Sequence, residues 1–259
     1  MARILITGAT SGIGEALTHE AVAHGHHVIA CGRNTDKLSE LASNSNITTA
    51  EFDATDESRT KEALAQVKCD IAVLNAGTCE YVDVNHLEPE MFQRVFNINV
   101  LGTINVVAAL LPNLERGNKL VFVDSMARLL PFTRSQAYGA SKAAVHYACK
   151  SFEVDLKSKG IAVQSMSPGF VKTPLTEKND FPMPMAITAE EAAKYMLKGI
   201  QSSKSSVYFP RRFGAIVRFL NFLPEGLQRR LCLKMLSAEK SSSGNSDDSR
   251  NKDSKASHD

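Results

Sequence analysis

The chain has 259 residues, 43% of them hydrophobic, enough for one large α/β domain or two small ones. Thirty basic side chains against 28 acidic ones leave a net charge of +2, which gives no argument for a nucleic-acid partner. Five scattered cysteines (Cys31, Cys69, Cys79, Cys149, Cys232) lack metal-knuckle spacing and read as free thiols, so no metal is expected. No signal-peptide core precedes the first strand, and no run of about eighteen apolar residues suggests a membrane span. A cytoplasmic protein is the expectation.

Arg3 to Thr7 is a short β-rich run that enters Thr7-Gly8-Ala9-Thr10-Ser11-Gly12-Ile13-Gly14. Ile13, Leu17, Ala21 and His24 then recur at helical spacing. A strand, a glycine turn and a helix make a phosphate-binding arrangement. Glycines let the backbone approach a pyrophosphate, and the amides and dipole of the helix N-terminus favour negative charge. A second strand, His27 to Cys31, ends in Gly32-Arg33-Asn34. Dinucleotide folds read the adenosine ribose at this point, and an acid there would repel a 2′-phosphate. None occurs before Asp36, which is placed to start the next helix. Arg33 offers a planar cation suited to phosphate. NADP(H) is favoured, with NAD(H) as the alternative.

Asn46 to Phe52 predicts a third strand, followed by Asp53-Ala54-Thr55-Asp56 and a helix to about Lys68, capped by Thr55 or Asp56. Asp53 is also placed to accept from an adenine amino group. The fourth strand, Asp70 to Leu74, runs into Asn75-Ala76-Gly77, a tight turn at the edge where open parallel sheets bind ligands. A long helical pattern from Pro89 to Leu111 carries Asn97 and Asn99 within an apolar run. A buried asparagine needs partners: Asn99 either bonds a distorted helix backbone or holds a water beside Lys142.

Lys119 to Asp124 is the fifth strand, with Ser125 at its end. The next helix carries Tyr138 and Lys142 one turn apart on one face and runs to about Lys159. An ammonium beside a phenol favours the phenolate, and a phenol so tuned exchanges protons near neutral pH, as carbonyl reduction or alcohol oxidation requires. A sixth strand, Ile161 to Met166, closes in Ser167-Pro168-Gly169-Phe170-Val171-Lys172-Thr173-Pro174. Strands alternating with helices predict a Rossmann-type, doubly wound, mostly parallel sheet with helices on both faces.

These motifs, in this order, resemble the short-chain dehydrogenase/reductase family over residues 1 to about 210. The resemblance rests on Thr7-Gly8-x-x-x-Gly12-Ile13-Gly14, Asp53, Asn75-Ala76-Gly77, Asn99, Ser125, Tyr138-x-x-x-Lys142 and Pro168-Gly169. It implies that Tyr138 is the catalytic acid/base and that Lys142 lowers its pKa and bonds the nicotinamide ribose. Ser125 would bond the substrate oxygen, and Asn99 would hold a water in a proton relay. Gly8, Gly12 and Gly14 would cradle the pyrophosphate with Ser11 and Ile13 beside them. Asp53 and Asn75 would flank the adenosine, with Ala76 and Gly77 also in the cofactor site, while the backbone after Pro168, through Gly169 and Val171, would meet the nicotinamide amide and Thr173 would contact the cofactor. One departure stands out: Ser11 occupies the loop position that is often basic in NADP-preferring members. The resemblance also implies a homodimer or homotetramer built through the helices holding Asn99 and Tyr138. A cofactor-bound regulator of the same fold is the non-enzymatic alternative.

Between Thr173 and Thr188, the prolines with Phe181, Met183 and Met185 predict an apolar lid over a small-molecule carbonyl or alcohol pocket. Thr188 with Glu191 forms a capping box for a helix, and Val207 to Phe209 is the last strand, at the sheet's far edge. Residues 211–236 read as an extension of two short basic amphipathic helices hinged at Pro224. They either lie peripherally on the inner face of a membrane, cover the cleft or form a subunit contact; the first suits a reductase of lipid or steroid-like carbonyls. Residues 237–259 are almost without apolar side chains and are expected to be disordered.

Overall fold

The computed structural model describes residues 1–177, 179 and 181–234; the expected disordered tail lies outside them. The strands are β1 (Arg3–Thr7), β2 (His27–Gly32), β3 (Ile47–Glu51), β4 (Ile71–Leu74), β5 (Lys119–Val123), β6 (Ala162–Pro168), β7 (Val171–Lys172), β8 (Ile187–Thr188) and β9 (Ser206–Phe209). The helices are α1 (Gly12–Ala23), α2 (Thr35–Leu41), α3 (Glu57–Leu64), α4 (Pro89–Phe96), α5 (Gly102–Leu110), α6 (Gln136–Leu156), α7 (Ala189–Ile200) and α8 (Arg211–Asn221).

Seven strands form one sheet in the order β3-β2-β1-β4-β5-β6-β9, and every neighbouring pair is parallel. The expected far-edge position of the last strand holds. Parallel strands buried on both faces send alternate side chains to opposite layers. Thus Ile4 and Ile6 join the core beneath α1 and α7, while Leu5 between them joins the core beneath α3, α5 and α6. Val121 and Val123 against Leu120 and Phe122 repeat the division on β5. Helices therefore cover both faces, and α1 lies against α7 as α3 lies against α5.

The sheet grows outward from β1 through β2 to β3, and the chain then returns to lay β4 on the other side of β1. Loops after β1 and β4 consequently diverge at their C-terminal ends and leave a crevice between them. Thr7 locks its floor: its hydroxyl accepts from the backbone N–H groups of Asn75 and Ala76, both at 3.0 Å. Gly8 turns there with φ +67°, a left-handed conformation that a side chain resists.

Two elements depart from the sequence reading. The long helix is not uniform: Asn97–Leu101 widens into a π-helical segment between α4 and α5. Within the 25-residue rod Pro89–Asn113 an 18-residue stretch has a mean hydropathy of 1.7, long and apolar enough to cross a membrane by length and composition, contrary to the expectation that no such run exists. It packs here as a layer helix, α4 against α6 and α5 against α3. The second departure is the pairing of β7 with β8, which staples the two ends of the 173–186 loop.

Beyond β9, α8 and the helical residues 225–234 fold back onto the body. Val217, Phe213, Leu220 and Cys232 pack with Met126 and Leu130 in a small separate cluster. Val217 is 2% exposed, so the extension is held by apolar burial of its inner face.

Candidate active site

Along the crevice run two connected cavities. The first, about 600 Å³, is lined by Gly8, Thr10, Ser11, Arg33, Asp53 and Ala76 among others. The second, about 360 Å³, shares Gly8, Ser11, Ala76, Gly77 and Thr78 with it and continues past Gly12, Ile13, Asn75, Lys142, Pro168 and Thr173 to Tyr138. A third pocket, about 140 Å³, lies on the far side of Tyr138 and is mostly apolar, walled by Met126, Phe132, Phe170, Phe181 and Phe213. Tyr138 and Leu175 line both the second and the third. Tyr138 thus stands where a long polar cleft meets an apolar chamber.

In the first cavity Arg33 and Asp53 face one another across 2.9 Å. Asp53 also accepts from the Thr55 amide and hydroxyl. Burial pushes its carboxyl up, but these bonds and the Arg33 guanidinium outweigh it and hold the carboxyl below the ordinary value. The Arg33 side chain is 68% exposed, and a pair this open is worth at most about 1 kcal/mol. Arg33 can therefore turn to another anion at little cost.

The reactive end is built from β5, the π-helical segment and α6. Ser125 follows β5 in extended backbone, and its hydroxyl accepts from the Ala127 amide at 3.1 Å while bonding the Tyr138 phenol. Lys142 is buried; its ammonium donates to the Val123 carbonyl at 2.9 Å and lies 5.9 Å from the Tyr138 ring centre. Burial pulls Lys142 down to about 8, with the charge of Asp124 pulling back up. Asn99 is the hub beside them. Its side chain accepts from the Thr78 amide at 2.7 Å and donates to the Thr78 carbonyl and to Ser141 Oγ, both at 2.9 Å. Ser141 in turn donates to the Tyr138 carbonyl at 2.7 Å. Both donor positions of the Asn99 amide are therefore spent on orienting the loop after β4 and the first turn of α6. A Cβ at Gly77 would touch Asn99 Oδ1 and Lys142 Nζ together, which places the two in one small space.

Several placements correct the sequence reading. Tyr138 is raised well above an ordinary phenol, not lowered: its burial among apolar neighbours dominates, and Lys142 lies by the ring and bonds a carbonyl. Gly14 does not line the cleft. It lets α1 close on β1, since a side chain there would collide with the Gly8 carbonyl and the Asn75 amide. Asn75 spends its amide on the Thr7 carbonyl at 3.1 Å and lies along the second cavity, not the adenosine side. Val171 is 4% exposed with its side chain in the core, which leaves its backbone as the part that can meet a cofactor, and Gly169 opens on the apolar chamber. Of the lid residues, Phe181 reaches the chamber, whereas Met185 is exposed and Met183 accepts from Asn179.

The sequence reading passed over Asp124, a carboxylate with no exposed side-chain surface at the end of β5. Its Oδ2 accepts from His146 Nδ1 at 2.6 Å and from Arg128 Nε at 3.2 Å, while its buried Oδ1 has no partner among the described residues. His146 lies one helical turn beyond Lys142, a four-residue spacing that the sequence did carry. Cys79 and Phe170, which come together only in the fold, were also missed as pocket walls, whereas Phe213 belongs to the extension expected as one possibility to cover the cleft.

The model of short chain dehydrogenases matches residues 2–182. The chain belongs to the short-chain dehydrogenase family. An uncharacterised oxidoreductase of Myxococcus xanthus is 33% identical over 236 residues, covering 86% of this chain and 93% of that one. An NADP-dependent 3-hydroxy acid dehydrogenase of Escherichia coli is 30% identical over 178 residues, 65% of this chain and 72% of its relative. The closed form of a serine dehydrogenase complexed with NADP+ superimposes with a TM-score of 0.74 at 25% identity, covering 80% of this chain and 94% of that structure. This short-chain dehydrogenase is thus an oxidoreductase of alcohol or carbonyl groups with a Rossmann-type fold.

Replacing Asn99 by Leu strands the Thr78 amide, the Thr78 carbonyl and Ser141. A buried polar group left unpaired costs roughly 1–3 kcal/mol. Asn99→Leu is expected to lower urea stability by at least about 2 kcal/mol. An unchanged midpoint would remove Asn99 from the hub.

Proposed function

We propose that this short-chain dehydrogenase carries hydride between NADP(H) and an apolar alcohol or carbonyl compound, with Tyr138 as the general acid and base. The observation that carries this reading is the position of Tyr138 as the shared wall of the polar cleft and the apolar chamber. A group that must exchange a proton with substrate while beside a dinucleotide has to stand at such a boundary.

The cleft fits a dinucleotide. Gly8 and Gly12 both have positive φ, and Cβ atoms there would press on Ala76 and Thr173, so the backbone stays open to a pyrophosphate at the N-terminus of α1. Arg33 and Asp53 would hold the adenosine end, and Lys142, Pro168 and Thr173 the nicotinamide end. Support for the phosphorylated cofactor comes from Arg33 at the end of β2, where no acid stands, and from the NADP+ named with the serine dehydrogenase structure. Bound there, the nicotinamide supplies or takes the hydride.

In the reducing direction, the Ser125 hydroxyl donates to the substrate oxygen as negative charge develops on it, and Tyr138 delivers the proton to that oxygen. A phenol raised by burial is fully protonated at neutral pH and ready to act as the acid. The Lys142 ammonium favours the phenolate left behind. Apolar walls select an apolar substrate body and exclude water from the reacting atoms. Subunit pairing through the helices that hold Asn99 and Tyr138 is supported by the exposure of Leu101 in the π-helical segment and of Tyr147 and Val154 along α6.

Tyr138→Phe is expected to bind NADPH as the parent does and to lose turnover by a factor of roughly 10² or more. Steady-state rates with a carbonyl panel decide it, and full turnover in the variant sinks the acid/base role. Arg33→Asp sets two carboxylates against the 2′-phosphate, so NADPH affinity should fall about ten-fold or more while NADH is spared. Fluorescence titration of both cofactors measures this; equal losses would make Arg33 a general anchor. Turnover should decline as pH rises through about 8, because Lys142 loses its charge there. Asp124→Asn removes the carboxylate that holds Lys142 up, so the decline should begin at lower pH. A pH–rate profile unmoved by Asp124→Asn would leave Asp124 a packing role only.

A further inference from the structure

The C-terminal helical pair has two faces with different surroundings. Its inner face is spoken for: Val217 is buried against Met126 and Leu130, and Phe213 and Cys232 form part of the apolar chamber wall. The outer face is not. On α8, Arg212, Ile216 and Phe219 fall at i, i+4 and i+7 and so share one side, away from Gly214 and Val217. Phe219 and Phe222 are 66% and 81% exposed, and Leu227 and Leu233 add further exposed apolar surface in residues 225–234. Isolated exposed apolar residues need no explanation, but several within two adjoining helices do.

Charge identifies what this face meets. Arg211, Arg212, Arg218, Arg229, Arg230 and Lys234 are all exposed, against the single acid Glu225. The whole chain carries only +2, so the remainder of the molecule is net acidic and the positive charge is concentrated on this extension. A second copy of the same face would bring like charges together, which disfavours self-pairing. Apolar side chains interleaved with arginines suit a surface that is apolar in depth and anionic at its plane. Aromatic rings enter the acyl boundary while arginine stems lie along it and keep their heads at the phosphates.

We infer that the outer face of α8 and residues 225–234 docks on an anionic lipid bilayer. Docking stands on this surface alone. Its consequence, that apolar alcohols or carbonyls dissolved in the bilayer reach the chamber behind Phe213 and Cys232, rests on the function proposed above.

The test uses the full chain with vesicles of phosphatidylcholine, with and without phosphatidylserine, in a co-sedimentation assay. Two double variants accompany it, Phe219→Ser with Phe222→Ser and Arg229→Gln with Arg230→Gln. Reduction of a water-soluble carbonyl reports that each remains folded, and light scattering reports its oligomeric state. The parent is expected to bind only the anionic vesicles, and binding should weaken with salt. Each cation removed should cost roughly five-fold in binding, and the serine pair at least ten-fold, with soluble turnover unchanged. No binding to anionic vesicles, equal binding to neutral ones, or binding unaffected by both pairs overturns the inference. So does a parent oligomer that the serine pair dissociates, since the face would then join protein to protein. Failure of vesicle binding with intact turnover rejects the docking and leaves the catalytic reading standing.

Discussion

A lysine ammonium buried at the end of a central strand is the constraint that most of the site answers to. Charge in a dry interior is costly unless other groups compensate it, and here the compensation comes from several directions. The Val123 carbonyl accepts from Lys142, the Asp124 carboxylate supplies opposite charge behind it, and Gly77 leaves the space in front. Even so, the ammonium is pulled down to about 8, so it holds its proton at neutral pH with little margin. That balance gives the residue a chemical use. An ammonium that is barely stabilised has strong interactions to offer a phenolate forming beside it, because little solvent competes.

The fold makes this burial possible through one topological event, the return of the chain from β3 to β4 across β1. Loops after β1 and β4 then part, and the polar cleft occupies the gap. On the far side of β5, the Ser125 turn and α6 face the opposite way, toward the 173–186 loop and the C-terminal helices, which close an apolar chamber. Tyr138 falls on the boundary because α6 enters directly opposite the end of β5. The π-helical widening at Asn97–Leu101 contributes the last part. It brings Asn99 far enough inward to clamp Thr78 and Ser141 at once, a bend of the kind that π-segments supply at functional sites.

Much of this was readable in the sequence because it is local. Alternating strands and helices gave the doubly wound class, the glycine turn marked the first loop, and the Tyr138–Lys142 spacing placed two groups on one face. What was not readable is what depends on depth and on non-local company. The direction of the Tyr138 shift could not be read from the neighbouring lysine, because the dominant influence is burial in the folded chain, followed by Cys79, a residue far away in the sequence. Gly14 and Val171 belong to motifs whose other members line the cleft, yet the closeness of the Gly8 carbonyl assigns Gly14 to packing, and the Val171 side chain points into the core. Asp124 escaped notice as a strand-ending acid; only the approach of Arg128 and His146 reveals it as a charge held inside.

Asp124 also connects the reactive end to the extension. Arg128 shares its guanidinium between the Asp124 carboxylate and the Tyr208 hydroxyl, which it meets at 3.1 Å. The Tyr208 ring is covered in turn by Arg218 of α8 at 4.8 Å. Gly214 lies against the same tyrosine so closely that a side chain there would strike Tyr208 Cβ. One continuous set of contacts therefore runs from the carboxylate behind Lys142 to the helix that walls the chamber. Contacts alone do not establish coupling, because coupling requires an element with two arrangements. They do fix a structural dependence: α8 cannot be displaced from β9 without disturbing the partner that anchors Arg128. The extension consequently packs against the tyrosine that meets Arg128, as well as forming a wall of the pocket.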